Sequence, residues 1–201
     1  MATPAKILVT GFRPFRNETV NPSERLLTAL ARDACDTVDT LLLPVSYQES
    51  ASLLREHWLT RGPYRALLML GQAGGRKAIS LERVALNWSE TSFADEDQKL
   101  LPPGPLLAGA PAAYLADFFP SSWKTELNEI GPTEISFSAG TYVCNSLYFS
   151  AQHMLAGART PALFVHVPYL PEQTESKPEQ PSLNFAVQLK VVHRVLQLIG
   201  A

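Results

Sequence analysis

The sequence predicts an α/β protein: a single-domain α/β/α sandwich with a mostly parallel central sheet. Three observations carry this. Short apolar runs alternate with amphipathic stretches along the whole chain. Runs such as AKILVT, ALLML and ALFVHV are apolar almost continuously, as strands buried on both faces are. The chain has 201 residues, 46% hydrophobic and 18% charged. That length suits one core burying roughly 70% of the unfolded surface, so residues 1–201 read as one domain. The polar, Pro/Gly-rich stretches 89–109 and 171–182 read as loops, since neither is long enough to link two cores.

Residues 5–10 are the first strand, ending at Gly11. NPSE, residues 21–24, starts a helix: Asn21 can cap it, Pro22 takes the first helical position, and Glu24 stands three residues after the cap. Leu26, Leu27, Leu30, Ala31 and Ala34 then recur at helical spacing. A second strand is expected over 38–45, a helix over 48–60 with Ala51, Leu54 and Trp58 on one face, and a third strand over 66–70. Residues 79–88 read as one extended segment, with Glu82 and Asn87 set among apolar neighbours. Residues 112–119, and those after Pro120, read as short helical pieces. A strand over 135–138 leads into a tight turn, followed by a helix over 144–155 and a strand over 162–167. A last helix over 183–199 keeps Phe185, Leu189, Val192 and Leu196 in register.

Seventeen Lys+Arg against 19 Asp+Glu give a net charge of −2, without the basic footprint that phosphate backbones or anionic membranes demand. The start, MATPAKILVTGF, has an apolar run shorter than the ~7–15 residues of a secretory signal. The longest apolar stretch, 105–116, contains Pro111 and falls short of the ~20 residues that span a bilayer. A soluble, cytoplasmic protein with no nucleic-acid or membrane partner is the expectation. Two cysteines, Cys35 and Cys144, do not make a disulfide framework and fit a reducing compartment.

In open α/β folds ligands bind beyond the carboxyl ends of the strands, which directs attention to residues 11–15, 71–76, 139–145 and 166–169. GFRPF lacks the later glycines of a dinucleotide fingerprint, and GQAGGR matches neither phosphate-binding pattern, so no nucleotide cofactor is implied. Cys144 stands where a strand has turned and a helix begins. There the helix dipole is expected to draw its thiol toward thiolate, the form that attacks carbonyls. A small buried apolar role suits Cys144 about as well. Cys35, at a helix end, reads as structural.

A nucleophilic cysteine needs a base, and the chain has four histidines. His153 lies nine residues further along the same helix, roughly 13 Å away, too far to share a proton. His57 and His193 sit beside charged neighbours on amphipathic helices, whereas His166, at the end of LFVHVP, can meet Cys144 at the sheet edge. Glu82, an acid in an apolar strand, is costly there unless paired. It could orient the imidazole, or equally form an internal ion pair with Arg83 or Arg65. No cluster has metal-ligand spacing, so no metal is expected.

Several motifs coincide with one family. TGFRPF and NPS near the start, LPV at 43–45, GQAGGR with ISLERVALN, SAGTYVCN and HVPYLPEQ together resemble the type I pyroglutamyl peptidases, or pyrrolidone-carboxylate peptidases, nearly end to end. The resemblance implies a phosphorylase/hydrolase-like α/β/α fold and a cysteine omega-peptidase that needs no cofactor and removes an amino-terminal pyroglutamyl residue from peptides. It implies Cys144 as nucleophile, His166 as general base and then acid, and Glu82 as the group orienting the imidazole. It places Phe12, Phe15, Gln72, Tyr142 and Val143 around the pyroglutamyl ring, and it implies a homotetramer. A site that hydrogen-bonds the lactam would reject proline, which has the ring without the carbonyl.

The chain departs from the family where many members carry an Arg that helps bind the substrate carbonyl or oxyanion; Ser92 stands there. Ser146 replaces a frequent His after CN, a change expected to touch packing more than chemistry. The Ser92 departure motivates a rival, a catalytically weakened homologue that binds lactam-capped peptides or another cyclic molecule. A nucleoside-type phosphorylase is a second rival and would need a basic anion site, for which the turns offer only Arg13 and Arg76.

Overall fold

The computed structural model describes residues 5–34 and 36–200, so Cys35 lies outside the described residues. The first run forms β1 (Ile7–Phe12), every residue of it buried. It passes through a loop to α1 (Pro22–Asp33), whose start follows the expected pattern: the Asn21 side chain accepts from the Ser23 amide at 2.9 Å and Pro22 opens the helix. The cap also reaches back to the strand. The Phe12 amide donates to Ser23 Oγ at 3.0 Å and Asn21 Nδ2 to the Arg13 carbonyl at 3.0 Å. This approach requires Gly11, because a Cβ there would lie 2.8 Å from the Ser23 carbonyl oxygen.

The chain continues through β2 (Val38–Leu43), α2 (Glu49–Arg61) and β3 (Ala66–Gln72). The expected extended segment 79–88 divides into β4 (Ile79–Glu82) and β5 (Val84–Leu86). The break falls at Arg83, whose guanidinium stacks 3.6 Å over the Phe119 ring and donates to the Ala116 and Phe119 carbonyls. The expected helical piece over 112–119 is instead β6 (Ala113–Leu115), paired antiparallel with β5 in a small second sheet. Partner strand β5 overrides the local preference of this short Ala-rich stretch.

The remaining elements are α3 (Ser122–Asn128), β7 (Thr133–Ser136), α4 (Val143–Met154), β8 (Ala162–Val167), a 3₁₀ turn (Pro171–Gln173) and α5 (Phe185–Ile199). Strand β7 begins two residues before the expected 135.

The main sheet has six strands in the order β2-β1-β3-β8-β4-β7, all parallel to their neighbours except that β4 runs antiparallel to β8. Helix α5 contacts both α1 and α3, and α2 contacts α4, giving the two helical layers of the α/β/α sandwich. Strands β1 and β8 are buried throughout and β3 up to Gly71, as a sheet covered on both faces requires. No helix among the described residues is long and apolar enough to cross a membrane.

Candidate active site

The sheet order sets the site. Strand β8 comes late in sequence but lies between β3 and β4, which places His166 opposite Gly71 on one side and Ser80 on the other. Glu82, at the end of β4, pairs in register with Phe164 of β8, so its carboxylate meets the imidazole of His166. His166 Nδ1 lies 2.7 Å from Glu82 Oε1 with both side chains buried. Because a carboxylate only accepts, the proton between them resides on Nδ1, leaving Nε2 as an acceptor.

Glu82 is paired differently from either expected ion pair: its basic partner is Arg76, not Arg83 or Arg65. Arg76 Nη1 donates to Glu82 Oε1 at 2.7 Å and Nη2 to the Ser138 carbonyl at 3.0 Å. The GQAGGR turn thus delivers a cation to the buried acid, a role its sequence position did not declare. Burial alone would raise the Glu82 carboxyl. The hydrogen bond and charge of His166, with Ser136 and Arg76 beside them, hold it below the ordinary carboxylate value. Its second oxygen, Oε2, is buried with no hydrogen-bond partner. His166 is displaced downward by burial, with Glu82 opposing and Arg76 assisting, so its imidazole is neutral near pH 7.

Cys144 is the second residue of α4, as the SAGTYVCN turn led one to expect. Asn145 anchors this first turn. Fully buried, it accepts from the Leu86 amide at 2.9 Å and donates to the Leu86 and Trp88 carbonyls at 2.9 and 3.1 Å, tying α4 to β5. The sulfur lies against Gly71, where a Cβ would stand 3.1 Å from Sγ and 2.8 Å from the Phe164 ring. Gly71 is the register partner of His166, so the nucleophile candidate and the base candidate converge on one side-chain-free point of β3. The expected drift of this thiol toward thiolate is overturned. Burial first, then the Glu82 charge, push it up to about 12, with Arg76 only partly opposing. A dipole at a helix start contributes only about 0.3–1 kcal/mol, less than the loss of water around a thiolate.

Cys144 opens onto a cleft of about 680 Å³. Phe12, Phe15, Gln72 and Tyr142 all line it, which brings together four of the five residues expected around a substrate ring. Val143 is the exception: its side chain is fully buried in the hydrophobic core and is not part of the cleft wall. The Phe15 and Tyr142 rings are 6.0 Å apart, and Tyr142 is held by its hydroxyl on the Ala94 carbonyl at 2.8 Å. Gln72 carries a feature that sequence reasoning missed. Gln173, from the 3₁₀ turn, donates to Gln72 Oε1 at 2.8 Å and to the Val20 carbonyl at 3.0 Å. The Gln72 carbamoyl oxygen is thereby occupied and its NH₂ is left for a ligand.

Ser92 is exposed and does not line the cleft, although Thr91 and Phe93 on either side of it do. Ser146 lies elsewhere, on a cavity of about 750 Å³ between α2 and α4 that contains none of the candidate residues. Neither Arg76, committed to Glu82, nor Arg13, absent from the cleft wall, offers the anion site that a phosphorylase needs.

Comparison with known proteins gives one answer. The profile of the pyroglutamyl peptidase family matches residues 5–199. A pyrrolidone-carboxylate peptidase of Gloeobacter violaceus is 40% identical over 199 residues, covering 96% of each chain. One from Staphylococcus aureus is 38% identical over 182 residues, covering 88% of this chain and 85% of its own. Among solved structures, the pyrrolidone carboxyl peptidase of Fervidobacterium islandicum superposes with a TM-score of 0.87 at 35% identity, covering 96% of both chains. The pyroglutamyl peptidase I of Bacillus amyloliquefaciens gives 0.86 at 31%, covering 98% of this chain and 94% of its own.

Proposed function

The chain belongs to the pyroglutamyl peptidase family of cysteine peptidases, and from that premise we propose that it hydrolyses the amide bond after an amino-terminal pyroglutamyl residue through an acyl-enzyme at Cys144. One observation carries the proposal: a cysteine at a helix start faces an aromatic cleft, with a buried, hydrogen-bonded Glu82–His166 pair beside it.

The ionisation states support a division of roles. A thiol near 12 does not attack as a resting thiolate, so His166, neutral and with Nε2 free, takes the Cys144 proton as sulfur bonds to the pyroglutamyl carbonyl carbon. Glu82 fixes the ring and stabilises the imidazolium that forms, without itself taking the proton. The developing oxyanion faces the Cys144 amide, one of the unpaired N–H groups of a helix start. Collapse breaks the C–N bond as the imidazolium protonates the leaving amine. Water then attacks the thioester with His166 again as base, releasing pyroglutamate and restoring the thiol.

The cleft chemistry fits a lactam. Phe12, Phe15 and Tyr142 give apolar faces for a flat ring, and the unoccupied NH₂ of Gln72 can donate to its carbonyl. A proline ring would leave that donor unpaired in a site where an unpaired polar group costs about 1–3 kcal/mol.

A second reading keeps one observation in its favour: the 91–93 segment brings no cation to the cleft, so the chain could bind lactam-capped peptides while turning them over slowly. Release of a chromophore from a pyroglutamyl amide separates the two. Parent protein is expected to turn over, and Cys144→Ala to lose at least ~10³-fold in kcat while keeping its melting temperature. Binding without turnover by the parent would favour the weakened homologue, and parental turnover by Cys144→Ala would remove Cys144 as nucleophile.

A further inference from the structure

The cleft is larger than a five-membered lactam needs, and its two ends differ. The inner end has buried Phe12 and half-buried Cys144, while the outer end carries exposed Arg16 and Phe93, the latter 49% exposed. An exopeptidase that seats the capped amino-terminus inside must lead the rest of the peptide outward, past those residues.

The outer end carries an unbalanced charge. Lys177 donates to Glu18 at 2.6 Å, so these two cleft residues neutralise each other. Arg16 has no carboxylate partner among the described residues; its guanidinium sits 4.2 Å over the Phe93 ring. A ring face positions a guanidinium without consuming its N–H donors, which stay available at its edge. The backbone at the same residue is unusual. Arg16 holds φ +61, a left-handed conformation that favours glycine and costs a side-chain-bearing residue about 1 kcal/mol or more. A long cation is thus kept at the cleft mouth in a conformation that opposes it.

We propose that Arg16 reads the peptide beyond the scissile bond, favouring pyroglutamyl substrates whose next residue is acidic. This deepens the pyroglutamyl reading and rests on it. Acidic side chains there meet a guanidinium whose fork matches a carboxylate; basic ones meet repulsion, and the acid in the cleft lining, Glu18, is occupied by Lys177.

The test uses C-terminally amidated peptides in which pyroglutamate is followed by Glu, Gln or Lys, so that one side chain alone carries the charge. The parent is expected to give kcat/KM in the order Glu, Gln, Lys, each step roughly twofold to fivefold, the range of an exposed ion pair. The spread should narrow as salt rises past about 0.1 M, where the Debye length falls to about 10 Å. Arg16→Gly should flatten the series, and Arg16→Glu should invert it. Glycine suits φ +61, so loss of the spread in that variant does not reflect misfolding. Equal rates for all three peptides in the parent, or an unchanged order in Arg16→Gly, overturn the role of Arg16 alone. Cleavage of none of the three by the parent overturns the pyroglutamyl reading, and this one with it.

Discussion

Gly71→Ala tests whether the space between β3, β8 and α4 sets the catalytic geometry. The new methyl would stand 2.8 and 2.9 Å from two atoms of the Phe164 ring and 3.1 Å from the Cys144 sulfur, so something must move. Phe164 has little freedom: its ring is fully buried and packed at 4.8 Å against His166 and 5.8 Å against Tyr148. Relief through Phe164 therefore displaces the imidazole, and relief through α4 displaces the proposed nucleophile, Cys144. Gly71 has no positive φ, so alanine incurs no conformational strain and would gain about 0.4–1 kcal/mol from a less flexible unfolded chain. Overpacking of a tight core costs about 1–3 kcal/mol, which outweighs that gain. Towards the middle of both ranges the net cost is about 1–2 kcal/mol, and at roughly 2–4 °C per kcal/mol for a chain of this size a drop in Tm of about 2–8 °C is expected. Misplacement approaching 1 Å costs on the order of 10²-fold, and it should fall on kcat with KM nearly unchanged, because the ring-binding wall at Phe15 and Tyr142 is untouched. Thermal unfolding and steady-state kinetics on a pyroglutamyl amide read both effects. An unchanged Tm would refute the packing argument, and a lowered Tm with parental kcat would show that the strain relaxes away from His166 and Cys144.

Further perturbations probe the buried pair. His166→Ala removes the proposed base and should cost more in kcat than Glu82→Gln, for which a loss on the order of 10²–10⁴-fold is expected; equal losses at unchanged Tm would give Glu82 a more direct part. The acid limb of kcat/KM should fall below pH 6.5, the ordinary histidine value, because burial lowers His166 and only the neutral imidazole accepts the thiol proton. Arg76→Gln removes a cation that disfavours imidazolium, so this limb should move to higher pH while the thiol is pushed further up; a limb that stays put or moves to lower pH would contradict the placement of Arg76.

The parts of this fold that could be read along the chain are those whose causes lie along the chain. The Asn21-Pro22 helix start is a local exchange of hydrogen bonds, and the strand of ALFVHV is a local apolar run, so both stand where the pattern put them. Strand β6 could not be read this way. Three residues of moderate hydrophobicity pair as a strand with β5, and the break between β4 and β5 falls at Arg83, which reaches the Phe119 ring more than thirty residues later. The site divides along the same line. Cys144, His166 and Glu82 each carry a chemical signal at a strand end or helix start. Gly71 contributes by having no side chain, Arg76 by what it reaches, and Gln173 by turning Gln72, none of which is a property of sequence spacing.

The thiol shows why such cross-sheet information changes the chemistry and not only the description. Sequence position reveals a helix start, which favours a thiolate, but it does not reveal that β3 and Glu82 close around the sulfur and oppose it. With burial the stronger effect, the cysteine rests as a thiol and its reactivity depends on a proton acceptor at the moment of attack. The same burial that, in the proposed mechanism, makes Cys144 depend on His166 also favours the unprotonated imidazole near pH 7. Burial thus shifts both groups in the directions that the proposed general-base role of His166 requires.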